Sequence, residues 1–214
     1  MLWQERLQCA RLYAIVDLGY VEAARVAAVT EQLVRGGVDL IQLRAKKLPL
    51  EQIAQLGRAM RDVIPAGGPL FILNDHPELA PGLRADGVHV GQDDLSIAEA
   101  RRLAGGGIVG KSTHSLEQAV AAEKEGPDYI GVGPIYATAT KPDYVPVGPS
   151  LIGQVCAAVR VPQFCIGGIN EKTLPEVIAA GAQRVVIVSA LLQSGDIPAY
   201  CRRVRAQLEA AAKK

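Results

Sequence analysis

The chain alternates short, nearly continuous apolar runs with longer segments in which apolar residues recur at helical spacing. Continuous apolar runs of this length are typical of parallel strands that are covered on both faces, and the longer spacing is typical of amphipathic helices. The predicted strands cover residues 11–17, 38–44, 69–75, 87–92, 107–112, 129–135, 162–169 and 184–190. The predicted helices cover residues 22–37, 50–65, 96–106, 115–126, 173–181 and 196–214.

Strict alternation of strands and helices predicts a parallel sheet, because parallel neighbours need a long crossover connection. Eight strand–helix units in 214 residues predict a single (β/α)8 barrel over residues 1–214, at the short end for that fold. An open, doubly wound sheet is the alternative. It is disfavoured because eight strands match closure and no G-x-G-x-x-G sequence opens the first helix.

Charge and cysteine content restrict the class of function. The chain has 23 Lys and Arg against 22 Asp and Glu, a net charge of +1, which does not indicate binding to nucleic acid or to a membrane surface. No run approaches the roughly 20 apolar residues of a membrane helix, and no signal-peptide core is present. Cys9, Cys156, Cys165 and Cys201 form no C-x-x-C pair and are interpreted as reduced. We expect a cytoplasmic protein that binds small molecules, with a homo-oligomer possible.

The second predicted strand changes character along its length. Gln42, Arg44 and Lys46 lie at every second position, and alternate side chains of a strand share one face. In a barrel, Leu40 and Gln42 would point inward, while the odd-numbered residues 41–45 would pack outward against helices. The inward face therefore changes from core packing to ligand chemistry as the strand reaches the mouth.

Charged residues follow several strands, and the C-terminal ends of barrel strands form the active site of such folds. Arg44, Lys46 and Lys141 are cations from two loops without matching carboxylates, a set that suits a phosphate or a diphosphate. Asp75 and Asp94 follow adjacent strands. Two carboxylates beside a diphosphate suit Mg²⁺, which takes one or two carboxylates plus phosphate oxygens. The sequence therefore predicts an anion site with a metal.

Neutral residues at other strand ends extend this prediction. Asn74 and Ser112 are placed to add hydrogen bonds at the metal-containing anion site. Gly168 and the backbone around Val188 and Ser189 follow strands 7 and 8, where barrels of this type recurrently bind phosphate. A second anion site, without a metal, is therefore predicted.

Each of these residues also has a purely structural interpretation. Arg44 and Lys46 can pair with acids at a solvated strand end, and Asp75 and Asp94 can cap helices. His89, between two valines, is more typical of a hydrogen-bonded core histidine than of a catalyst. The functional interpretation rests on all these positions falling on one rim of one predicted barrel.

Seven short segments carry a family resemblance. QLRAK, ND, DGVHVGQDD, GKSTHS, DYIGVGPIYATATK, IGGI and VSA occur in this order over nearly the whole chain, and together they resemble the thiamine phosphate synthase family of (β/α)8 barrels. The resemblance implies a Mg²⁺-dependent transferase. It would join 4-amino-2-methyl-5-hydroxymethylpyrimidine diphosphate to 4-methyl-5-(2-phosphoethyl)thiazole and release diphosphate. The catalytic candidates that it implies are Arg44, Lys46, Ser112 and Lys141.

The resemblance also implies the ligands of each substrate. The pyrimidine diphosphate is expected to contact Gln42, Arg44, Lys46, Asn74, Ser112 and Lys141. The thiazole phosphate is expected to contact Thr138, Thr140, Gly168, Val188 and Ser189, and Mg²⁺ is expected to bind Asp75 and Asp94. A dissociative, carbocation-like path is expected, because the amino group of the pyrimidine can donate electron density to its exocyclic carbon.

Two positions depart from the family pattern, and two related functions are alternatives. Ala45 stands where an acid is common, and Lys111 replaces a usually apolar residue and either points outward or adds a cation. The related thiazole tautomerases share the barrel and would use His114 as an acid or base, but they tend to lose the diphosphate and metal residues that this chain keeps. A non-catalytic binding protein of the thiamine pathway is disfavoured because it has no need of that complete set.

Overall fold

A computed structural model describes residues 2–138 and 145–212, and its strands form a closed parallel barrel in chain order. The strands are β1 (Leu12–Asp17), β2 (Leu40–Arg44), β3 (Leu70–Asn74), β4 (Gly87–Val90), β5 (Ile108–Thr113), β6 (Tyr129–Val132), β7 (Gln163–Cys165) and β8 (Val185–Ile187). Each strand pairs with the next, and β8 pairs with β1. The predicted (β/α)8 barrel is confirmed, although β6, β7 and β8 end earlier than their apolar runs suggested.

Helices connect the strands and surround the barrel. They are α1 (Trp3–Cys9), α2 (Val26–Gly36), α3 (Leu50–Val63), α4 (Ala80–Leu83), α5 (Ile97–Leu103), α6 (Leu116–Glu125), α7 (Ser150–Ala158), α8 (Leu174–Ala179), α9 (Ser189–Leu192) and α10 (Ile197–Ala212). The sequence analysis did not predict α1, α4, α7 or α9. Among the described helices, none combines the length and apolar composition needed to cross a membrane.

Local capping explains where several helices begin and end. The side chains of Ser96 and Ser115 accept hydrogen bonds from backbone N–H groups in the first turns of α5 and α6, as favoured N-cap residues do. Gly37 and Gly126 end α2 and α6 in the left-handed conformation, which costs glycine little because it has no Cβ. Each of these two helices therefore stops at a glycine.

The strands separate an inner core from an outer core. Leu40 packs inside the barrel with the first residues of neighbouring strands, whereas Ile41 and Leu43 pack outward between the sheet and the helices. This confirms the alternation predicted for the second strand. Leu7 of α1 and the adjacent Ala10 also belong to the inner core, so α1 covers the N-terminal end of the barrel.

The four cysteines are free thiols. Cys165 and Cys201 are buried, and burial raises the pKa of each thiol to about 12. These two thiols are therefore protonated and packed as small apolar side chains.

The contact between β5 and β6 leaves no room for a side chain at Gly110. Gly110 pairs with Tyr129 across the two strands, and a Cβ atom at Gly110 would lie 2.1 Å from Cζ of the Tyr129 ring. The tyrosine ring thus occupies the volume that any larger residue at this position would need.

We predict that Gly110→Ala lowers the free energy of unfolding by about 1–3 kcal/mol, the usual effect of overpacking a core. Gly82→Ala is the matched control, because a Cβ at Gly82 meets nothing within 4 Å; it should be neutral or stabilise by up to about 1 kcal/mol. Urea denaturation of both variants measures the difference. Equal effects would show that the Tyr129 ring does not limit the space at Gly110.

Candidate active site

A cavity of about 310 Å³ opens at the C-terminal ends of the strands, a volume suited to small-molecule ligands. Its lining includes eight of the predicted site residues: Gln42, Arg44, Asn74, Ser112, Thr138, Gly168, Val188 and Ser189. Lys46, Asp75 and Asp94 lie at the strand ends, outside the described lining. Thr140 and Lys141 lie outside the described residues, so their predicted roles stay predictions.

A chain of hydrogen bonds crosses the barrel interior from Gln42 to Ser112. Gln42 Nε2 donates to the Tyr13 hydroxyl at 2.6 Å, and that hydroxyl lies 3.0 Å from the Tyr129 hydroxyl. The Tyr129 hydroxyl lies 3.0 Å from His89 Nδ1, and His89 Nε2 lies 2.9 Å from Ser112 Oγ. This hydrogen-bond chain links two residues that are both expected to hold the pyrimidine diphosphate.

Aromatic rings form the floor beneath this cavity. Tyr13, Tyr129 and Phe164 pack edge to face with centroid distances between 5.4 and 5.9 Å, a favoured arrangement of aromatic pairs. Burial raises the pKa of Tyr13 and of Tyr129, so both are neutral phenols and act as hydrogen-bonding groups. His89 stacks on Tyr129 with its centroid 5.4 Å away. His89 is thus hydrogen-bonded, as expected for a core histidine, and it also lines the cavity.

The expectation that the cations of the second strand lack matching carboxylates is wrong for both Arg44 and Lys46. Arg44 Nη1 lies 2.6 Å from Asp17 Oδ2, with side chains 16% and 5% exposed. Lys46 Nζ lies 3.2 Å from Asp75 Oδ2, with side chains 44% and 20% exposed. The parallel pairing of β1 with β2 places Asp17 beside Arg44, and a buried charge needs such a partner. The more exposed Lys46 pair contributes little to stability, so Lys46 can exchange partners.

The two predicted metal ligands lie at neighbouring strand ends. The Asp75 N–H donates to the His89 carbonyl at 3.0 Å, which joins the end of β3 to β4. Asp94 Oδ2 accepts from the Gly91 N–H at 2.6 Å, which holds Asp94 against the end of β4. Helix capping does not explain either acid: Ser96 caps α5, and no side-chain hydrogen bond caps the short 3₁₀ helix after Asp75.

These carboxylates fit the donor preference of Mg²⁺, which binds oxygen ligands. Within the described part of the chain, no group of three or more His, Cys, Asp and Glu side chains is placed to enclose a metal. A magnesium ion held by Asp75 and Asp94 would therefore complete its coordination with substrate and water oxygens, as Mg²⁺ commonly does. Asp75 would then share or exchange its contact with Lys46.

The loops after β7 and β8 bring backbone to the same cavity. Gly168 has a positive φ of 67°, and a Cβ there would lie 2.6 Å from Tyr136 Cβ. The position therefore needs glycine both for its backbone conformation and for the close approach of the next loop. The Gly168 carbonyl accepts hydrogen bonds from Asn170 Nδ2 and Thr173 Oγ1, each at 3.2 Å. Ser189 begins α9 beside this loop and lines the same cavity.

The position of Lys111 decides one question that the sequence left open. Lys111 is only 5% exposed and points outward, where its Nζ lies 3.9 Å from Glu125 Oε2; its neighbour Ser112 takes the inward face. Lys111 therefore does not add a cation to the cavity. His114 lines the cavity, and its Nδ1 is hydrogen-bonded to the Gly133 carbonyl.

Comparison with known proteins agrees with the geometry of the site. Residues 12–191 match a family model described as thiamine monophosphate synthase. The chain belongs to the thiamine monophosphate synthase family. The expected family is thus confirmed, together with its function class, thiamine phosphate synthase, and its enzyme class, a transferase.

Relatives of the thiamine monophosphate synthase family match nearly the whole chain. A thiamine-phosphate synthase of Chloroflexus aurantiacus is 38% identical over 95% of this chain and 95% of its own length. One from Synechococcus sp. is 44% identical over 94% of this chain, which spans 57% of that relative's length. A solved thiamine phosphate pyrophosphorylase from Pyrococcus furiosus superposes with a TM-score of 0.86 at 29% identity, covering 98% of this chain and 99% of the other.

The hydrogen-bond chain from Gln42 to Ser112, at the base of the cavity, gives a prediction about stability. Tyr13→Phe removes the hydroxyl between Gln42 and Tyr129 and leaves buried polar groups unpaired, so it should lower the free energy of unfolding by about 1–3 kcal/mol. Tyr136→Phe is the control, since the Tyr136 hydroxyl bonds to Glu176 at an exposed site and should contribute less than about 1 kcal/mol. Denaturant titration compares the two. A Tyr13→Phe variant as stable as the control would show that the hydrogen-bond chain does not stabilise the fold.

Proposed function

We propose that this chain joins 4-amino-2-methyl-5-hydroxymethylpyrimidine diphosphate to 4-methyl-5-(2-phosphoethyl)thiazole, forming thiamine phosphate and releasing diphosphate. The observation that carries the proposal is the composition of a single cavity. Its lining includes Gln42, Arg44 and Ser112, which are predicted to hold the pyrimidine diphosphate, and Gly168 and Ser189, which are predicted to hold the thiazole phosphate. Two predicted anion sites on one cavity suit a reaction that joins two phosphorylated substrates.

The first region would hold the pyrimidine diphosphate. Gln42 would present its amide to the pyrimidine, held in place by the Tyr13 hydroxyl. Arg44, Ser112 and the exchangeable Lys46 would bind the diphosphate, with Asn74 as a neutral partner. Cations and hydroxyl groups aimed at the leaving oxygen stabilise the negative charge that develops there. Lys141 is proposed to add a further positive charge from the loop after β6.

Asp75 and Asp94 would hold Mg²⁺ beside this diphosphate. When bound, the ion would neutralise negative charge on the leaving group as its bond to carbon breaks. The side chains are already at adjacent strand ends, and Asp94 is held there by the Gly91 N–H. The protein's own contribution is to fix these two carboxylates at the mouth of the cavity.

The second region would bind the thiazole phosphate through Thr138, Thr140, Gly168, Val188 and Ser189. The reaction would begin with cleavage of the carbon–oxygen bond, and the bonding electrons would leave with the diphosphate. The thiazole nitrogen would then donate its lone pair to the exocyclic carbon, forming the new carbon–nitrogen bond. These two steps require no nucleophile from the protein, so positioning of the substrates and stabilisation of charge account for catalysis.

We also propose that the enzyme works in the cytoplasm on small molecules and has no nucleic-acid partner. The four free thiols suit a reducing compartment. The nearly balanced charge, 23 basic against 22 acidic residues, supplies no extended basic field for a polyanion.

The proposal is tested with the purified chain, both substrates and Mg²⁺, with products identified by mass. We expect thiamine phosphate only when both substrates are present. Isomerisation of a thiazole carboxylate without joining would instead support the tautomerase alternative. Binding of both substrates without turnover would support a binding protein.

The metal assignment predicts the behaviour of one matched pair of variants. Asp94→Asn keeps the side-chain shape but removes a ligand charge, so it should lower kcat by about tenfold or more and raise the Mg²⁺ concentration needed, on the scale known for carboxylates at metal sites. Asp93→Asn is the control, because Asp93 is an exposed neighbour with no predicted role. Magnesium titrations of activity distinguish them, and an unchanged Mg²⁺ requirement in Asp94→Asn would rule out this ligand.

A further inference from the structure

The structure gives Arg44 a partner that the sequence analysis did not identify. Asp17 is the last residue of β1 and pairs directly with Arg44 at the end of β2. It follows Tyr13 and Ile15 at every second position, so it continues the inward face of β1. Asp17 is only 4% exposed, although it lies at the mouth of the barrel, where strand ends meet solvent.

Both oxygens of the Asp17 carboxylate are engaged. Oδ2 accepts from Arg44 Nη1 at 2.6 Å, and Oδ1 accepts from the Gly19 N–H at 2.8 Å. The Asp17 carbonyl accepts from the N–H groups of Tyr20 and Val21 at 2.9 and 3.0 Å. The carboxylate and its backbone are thus fixed by the turn after β1, and the carboxylate in turn fixes one edge of the guanidinium.

We infer that Asp17 is a positioning residue for the pyrimidine diphosphate site: it holds the Arg44 guanidinium in the orientation that the leaving diphosphate requires. The inference rests on the proposed function, in which Arg44 contacts that diphosphate. Asp17 itself is not part of the described cavity lining, whereas Arg44 is. Arginine has five N–H donors, and Asp17 engages Nη1, so other donors stay available to a ligand.

Two observations favour positioning over simple stabilisation. A buried ion pair is weak evidence for stability, because the loss of hydration offsets the attraction between the charges. Arginine also has large side-chain freedom, and a fixed guanidinium loses less of it when a ligand binds. Ala45, where the family resemblance leads one to expect an acid, packs in the outer core. A side chain at position 45 would thus point away from the cavity that Arg44 lines, whereas Asp17 contacts Arg44 directly from β1.

The negative charge of Asp17 has an opposing effect, and the two effects have different kinetic signatures. Through space, the carboxylate repels the diphosphate, so its removal by this effect alone would strengthen substrate binding and favour the growing charge. Loss of positioning would do the reverse to turnover, because a misdirected donor no longer faces the oxygen on which charge develops. The sign of the change in kcat therefore separates positioning from repulsion.

The first test is steady-state kinetics of Asp17→Asn with each substrate varied in turn. Arg44 and the Gly19 N–H contact different oxygens of Asp17, and asparagine replaces one of these oxygens with an NH2 donor, so one of the two contacts is lost. We expect kcat to fall by about tenfold or more, the scale of a lost hydrogen bond to a charged group, with the KM for thiazole phosphate changed by less than about twofold. Asp39→Asn is the matched control, since Asp39 also binds an arginine, Arg205 at 2.7 Å, at the N-terminal ends of the strands. It should leave kcat unchanged.

The second test is coupling to Arg44. If Asp17 acts through Arg44, then Asp17→Asn should lower kcat little further in an Arg44→Gln background, whereas independent residues would give multiplied losses. Asp17→Glu keeps the charge but displaces the carboxylate by one methylene. It therefore tests the position of the carboxylate relative to Arg44, even where Asp17→Asn fails to fold. We expect its kcat to fall as well.

Each outcome has one meaning. A folded Asp17→Asn variant with unchanged or raised kcat, or losses that multiply with Arg44→Gln, overturns the positioning role. A wild-type kcat in Asp17→Glu does the same. If the wild-type chain itself makes no thiamine phosphate from the two substrates, the proposed function fails first, and the inference that rests on it fails with it.

Discussion

The hydrogen-bonded pairing of β1 with β8 closes the sheet, and the candidate site depends on that closure. In an open sheet the ends of β1 and β8 would lie at opposite edges. In the closed sheet, the loops after β7 and β8 share one cavity with the ends of β2, β3 and β5. Gly168 and Ser189 thereby line the same cavity as Gln42 and Arg44, which suits the joining reaction that we propose.

Closure also fixes what can fill the interior. An eight-stranded barrel is wide enough only for side chains to fill it, and here Tyr13, Tyr129 and Phe164 supply a packed floor. Leu7 of α1 packs into the same inner core from the N-terminal side. The polar chain through His89 lies on this floor, where burial keeps the tyrosines neutral and makes their hydrogen bonds specific in geometry. The floor therefore supports the other cavity-lining residues without adding charge to the cavity.

The end of β2 combines two cations with different freedom. Arg44 is largely buried against Asp17, whereas Lys46 is nearly half exposed and meets Asp75 in a pair that solvent screens. A buried charge keeps its partner because separation would leave it uncompensated, while an exposed pair exchanges partners at little cost. One strand end thus offers a fixed donor and an adaptable one to the diphosphate that we propose binds there. In the same proposal, Asp75 exchanges its contact with Lys46 for the metal.

The sequence by itself determined the number and order of the strands, the barrel, and the inward direction of Gln42, because periodicity is a property of the local backbone. It also determined that polar residues gather at the mouth. Only the tertiary structure decided which side chains touch. Asp17 contacts Arg44, which is 27 residues away in sequence, and Tyr13 contacts Tyr129, which is 116 residues away. Such contacts depend on the register between strands and on the closure of the sheet. No local pattern contains either, so the sequence showed Arg44 as an unpaired cation where the fold supplies a buried carboxylate.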